Sequence, residues 1–154
     1  MRGQRAGAER VAKICVHPDN NIQAVSSARA AASRIFAEVG VRIEWHSKSS
    51  CRSSEFIQIS FSEHTPEGLL AGALACSRPY EGTYVVVFYD RVKQTIQSTG
   101  AQQLLAFVMV HEITNILQGM DRHSASGIMK AQWSFGDYFD MGGTGLALRK
   151  QTSI

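Results

Sequence analysis

The chain lacks a long apolar run. Its longest, over residues 104–110, falls far short of the ~18 residues that a membrane span needs. It also lacks a block of like charge. Sixteen Lys and Arg against 13 Asp and Glu leave a net charge of +3, too mild and too scattered to point to nucleic acid. Cysteine is scarce. Cys15, Cys51 and Cys76 form no CxxC pair, and an odd count argues against a full disulfide framework. Unpaired thiols are the favoured expectation, with Cys51–Cys76 as the pairing an oxidising compartment would permit. No leader peptide is expected. The first ten residues are basic and polar, and the apolar run after them is broken by Lys13. The compartment stays open between secreted and cytoplasmic. There is no internal repeat. Gly142-Gly143-Thr144-Gly145 follows no strand and carries no Lys, so it is not a phosphate loop.

What remains is an ordinary soluble composition. The chain has 154 residues, the length of one domain, with 44% hydrophobic and 19% charged residues. A chain of this size buries ~70% of its unfolded surface, enough for a real core. Residues 1–9 read as a flexible tail and 10–150 as a single domain.

The chemistry gathers in residues 104–133, LLAFVMVHEITNILQGMDRHSASGIMKAQW. Residues 101–118 hold no Pro and no Gly, and Leu104, Val108, His111 and Asn115 fall at helical spacing on one face. Residues four apart on a helix point the same way, so 111 and 115 can grip one ion. Glu112 sits one step round, where a general base for a metal-bound water belongs. Gly119 can end the helix in a left-handed conformation. His123 then comes within reach of the same ion, and Met129 is placed for a tight turn beneath it.

The order His111-Glu112-x-x-Asn115, Gly119, His123-Ser124, Gly127-Ile128-Met129 resembles the metzincin zinc peptidases. Those carry HExxHxxGxxH on a long helix and its following loop, and then a Met-turn. The motif covers about thirty residues, and the likeness extends loosely over residues 10–135. It implies zinc held by His111, Asn115 and His123, Glu112 as the catalytic base, and a peptide or protein substrate. It also implies a small α+β domain with an α/β-like N-terminal part. In that domain a twisted mixed sheet of about four to five strands packs on two main helices, the second carrying the motif.

The departures bear on activity. Asn115 stands where the family has its second His. Gly119 is one position late and His123 two positions late, and Asp121 occupies the usual place of the third ligand, which makes it a rival to His123. A carboxamide oxygen is a weak, uncharged ligand for zinc. The expectation is therefore an impaired peptidase, or alternatively a non-catalytic relative of the same fold that binds a peptide or protein partner. Tyr138 follows the Met-turn as an oxyanion-stabilising tyrosine does in some members, but that role is not favoured. His17, His46 and His64 have no ligand-like spacing and read as surface or loop histidines.

The rest of the chain supplies the frame. Residues 11–16 read as a first strand, about 21–39 as a helix ended by Gly40, and 41–45 as a second strand. This βαβ order implies a parallel pair. Residues 56–61 alternate as a third strand, and 83–89 are apolar on both faces, as a strand inside the sheet would be. Residues 74–77 are a candidate edge strand, on which an extended peptide can add. Residues 90–99 read as a polar connector with at most a helical turn, and 134–141 as a short helix.

Overall fold

The computed structural model describes residues 10–17, 22–47, 51, 55–66, 68, 72–78, 83–118, 128 and 133–142. Strand β1 (Arg10–Val16) leads into helix α1 (Ile22–Glu38), which returns to strand β2 (Val41–Ser47). β1 and β2 are parallel, with Cys15 beside His46. Strand β3 (Ile57–Ser62) lies on the other side of β1, also parallel. Strand β4 (Ala75–Arg78) pairs antiparallel with β5 (Tyr84–Phe88), and β5 runs parallel to β3. The sheet order is β2-β1-β3-β5-β4, a mixed five-stranded sheet. The fold is α+β, and the parallel pair expected around the first helix is present.

Local chemistry explains most boundaries. α1 stops at Gly40, which takes φ +80° while its amide bonds back to the Ala37 carbonyl at 3.1 Å. β1 is flanked on both sides, so Ile14, Cys15 and Val16 are all buried. β5 is likewise paired on both sides, and Val85 and Val87 are fully buried. This matches its apolar run. β4 is the edge strand expected near residues 74–77.

Two expectations need correction. Residues 90–99 are not a connector with a single turn. They form most of an 11-residue helix, α2 (Tyr89–Thr99). Its polar sequence hides a short apolar stripe, because Tyr89, Val92 and Ile96 all pack on the core. Asp90 in the first turn suits the helix dipole, and Gly100 closes the helix at φ +74°. The second correction concerns the thiols. Cys15 and Cys51 are joined by a disulfide, with Cα atoms 6.1 Å apart, and Cys76 is not part of one. Cys51 follows β2, the direct neighbour of β1, so its partner is the β1 cysteine. Cys76 lies at the far edge of the sheet.

The central helix α3 (Leu104–Gln118) begins three residues later than the Gly- and Pro-free run allowed. α3 lies beside α1 and against β4, β5 and α2. This setting explains a further difference from expectation. The helix is not buried along one face only: every residue from Leu104 to Asn115 is buried except Glu112. Helix α4 (Phe135–Gly142) follows where the short helix was expected. Ser134 Oγ accepts from the Asp137 amide, and the Asp137 carboxylate accepts from the Ser134 amide at 2.6 Å and from its hydroxyl, a reciprocal cap. Residues 1–9 lie outside the described residues.

Candidate functional site

α3 carries three of the residues singled out in the sequence. His111 is 9% exposed and Asn115 only 3%, so both sit inside the protein one helical turn apart. Glu112, between them, is partly exposed. Asp121, His123 and Met129 lie outside the described residues, as does Gly119.

One long-range contact gives the site its shape. His111 Nδ1 lies 2.7 Å from the carbonyl oxygen of Ile128. A carbonyl only accepts, so Nδ1 must carry the proton and donate it. In the neutral ring Nε2 is then left with its lone pair, the state in which an imidazole ligates a metal. Ile128, the residue before Met129 in the sequence, thus meets the helix at its first candidate ligand.

Trp133 packs on the same histidine. Its ring centroid is 5.7 Å from that of His111, with the planes at 81°. Tyr138, from α4, packs edge-on against Trp133 at 6.3 Å. Burial raises the Tyr138 phenol above its ordinary pKa, and the neighbouring Asp137 carboxylate adds to the effect. The phenol therefore keeps its proton at neutral pH. An aromatic wall of Trp133 and Tyr138 thus supports His111 from the C-terminal side.

Several polar atoms here are buried without a hydrogen-bond partner among the described residues: Asn115 Oδ1, Thr114 Oγ1 and Trp133 Nε1. Such atoms are rare in native proteins and call for a water, an ion or a ligand. An Nδ1-protonated imidazole and a buried carboxamide oxygen with no hydrogen-bond partner among the described residues are donor types that fit a metal ion. They fit it weakly, because the oxygen carries no charge. Among the described residues no three His, Cys, Asp or Glu side chains come together to hold a metal. The other two candidate ligands from the sequence, Asp121 and His123, lie outside the described residues.

The other histidines are separate from this site. His17 Nε2 is 2.9 Å from Gln58 Oε1, on the sheet. His46 packs edge-on against Phe56, and its Nε2 is a further buried atom without a partner among the described residues. His64 is exposed, beside Ser62.

The sequence reading missed Trp133. The signal available was its position four residues past Met129, together with the rule that a buried Trp wants a partner for its indole N–H. No family model, no curated protein and no solved structure matches this chain.

Proposed function

We propose that the chain is a metallopeptidase-like protein of the metzincin type, with zinc as the metal and a peptide or protein as substrate. His111, Asn115 and His123 would hold the metal, with Asp121 as rival third ligand and the turn at Met129 beneath. The observation that supports this reading is the hydrogen bond from His111 Nδ1 to the Ile128 carbonyl, a tautomer in which Nε2 would be the ligating atom. Buried Asn115 Oδ1, one turn along, supplies the second donor.

When bound, zinc supplies Lewis-acid chemistry, polarising the scissile carbonyl and lowering the pKa of water toward ~7. Glu112, next to His111 on α3, would accept the water proton and pass it to the leaving amine. The edge strand β4 packs near α3 and offers backbone hydrogen bonds to an extended peptide.

Asn115 favours a second reading. With a neutral carboxamide in place of the second imidazole, zinc affinity falls steeply and hydrolysis weakens or stops. The chain is then a non-catalytic relative that binds a peptide or protein. One measurement set decides between the two. Elemental analysis gives zinc per chain for the parent sequence and for Asn115→His. Hydrolysis of unstructured peptides is followed in both, with Glu112→Gln as control. Zinc near one per chain and Glu112-dependent cleavage in the parent sequence support the enzyme. Zinc and cleavage only in Asn115→His support a scaffold disarmed at one ligand. No zinc in either form sinks the metal reading.

A further inference from the structure

The chain has two tryptophans, and they are treated differently. Trp45 Nε1 donates to Ser33 Oγ at 2.8 Å. Trp133 Nε1 is buried and has no acceptor among the described residues. Its ring packs on His111 on one side and meets Tyr138 on another. An indole N–H only donates and cannot ligate a metal. The partner it lacks among the described residues must be an acceptor, and an oxygen is the common one.

From this arrangement we infer that Trp133 is a ligand-binding residue of the site, donating its indole N–H to an oxygen acceptor of the bound molecule beside His111. The inference rests on the reading of this region as a peptide-binding site, but not on zinc being bound. The acceptor chemistry is that of a peptide carbonyl or a carboxylate. Tyr138 acts as a positioning residue, because its ring rests against Trp133 and fixes the indole plane. This gives the site a hydrogen-bond donor independent of the phenol, of the kind that can stabilise an oxygen acceptor.

The test uses the two indole N–H signals of the nitrogen-15-labelled chain, with Trp45→Phe to assign them. N-methylacetamide stands for the peptide carbonyl and acetate for the carboxylate. Each is titrated into the full chain with and without zinc. The expected result is a downfield shift of the Trp133 indole proton with one probe or both, while Trp45 stays still. The responding probe identifies the acceptor. Trp133→Phe, which keeps a ring on His111 but removes the donor, should weaken binding about fivefold for N-methylacetamide, the worth of one neutral hydrogen bond, and by more than about tenfold for the charged acetate. Zinc content should not change in that variant. A Trp133 signal that does not move with either probe overturns the inference, whether or not zinc binds. So does a Trp133→Phe protein that binds the probe as well as the parent. The zinc reading fails separately, on stoichiometry alone.

Discussion

His111 and Ile128 are 17 residues apart and joined by one hydrogen bond, from the ring Nδ1 to the carbonyl oxygen at 2.7 Å. The acceptor belongs to the backbone, so no side-chain substitution at 128 removes it. The bond fixes both the tautomer and the orientation of the ring. Long-range proton–nitrogen spectra of the neutral imidazole should therefore show His111 with its proton on Nδ1 and a pyridine-like Nε2. Adding zinc should move the Nε2 resonance and leave the tautomer unchanged. A proton on Nε2 in the metal-free protein would contradict the ligand assignment.

Asn115→His should separate stability from metal binding. Asn115 is buried, and a larger ring in its place crowds neighbours that are already packed. Without zinc the variant should be destabilised by about 1–3 kcal/mol, the usual cost of overpacking. With zinc the sign reverses, because a ligand that binds only the folded state stabilises it by mass action. Zinc affinity should rise at least about 100-fold, since losing even a supporting partner costs ~10–100-fold. Thermal melts with chelator and with excess zinc read both effects. A variant whose melting temperature ignores zinc would show that residue 115 does not face the metal.

Most of the frame was legible because the elements obey simple periods. Gly40 announces the end of α1, and the alternation over 56–61 announces β3. The apolar run of β5 announces a strand paired on both sides. α2 was hidden because only Tyr89, Val92 and Ile96 carry its buried stripe among polar residues. The disulfide was hidden because pairing depends on strand order, which spacing does not reveal: β1 sits between β2 and β3. At the site, residues 111, 112 and 115 were legible because one helix carries them. The roles of Ile128 and Trp133 were not, because both come from distant chain and act through a backbone atom and a ring face.

The Cys15–Cys51 bond closes a loop spanning 36 residues and ties the chain after β2 to the neighbouring strand β1. In the chain-entropy account a closure of this length is worth about 4 kcal/mol. Cys15 is fully buried, so Cys51→Ser is the milder way to remove the bond. That variant, and the parent protein unfolded in reducing buffer, should both show a clearly lower denaturant midpoint. The two losses should be similar. A parent whose midpoint is the same in reducing and oxidising buffer would remove the disulfide from the stability of the fold. Such a bond persists in oxidising compartments, which makes the measurement informative about where the chain folds.

Asp90 should make folding stability sensitive to acid. Its carboxylate accepts from the Thr65 hydroxyl at 2.7 Å and from the Thr65 amide at 3.1 Å. Partial burial pushes the carboxyl upward. The bonds from Thr65, with the backbone amides of Arg91 and of Asp90 itself, outweigh it and hold the pKa below the ordinary 3.8. A carboxyl lowered on folding stabilises the fold above its unfolded pKa, and that stabilisation is lost as pH falls through the lower folded value. The beneficiary is the segment before β4, which Thr65 anchors to the start of α2. Arg91 adds a second tie, donating to the Ala73 carbonyl at 2.9 Å. Asp90→Asn should therefore be less stable than the parent near neutral pH, and the gap should close below about pH 4, the ordinary Asp range. Urea unfolding at a series of pH values measures it. A gap that stays constant into acid would mean that Asp90 acts through packing or the helix end rather than through its charge.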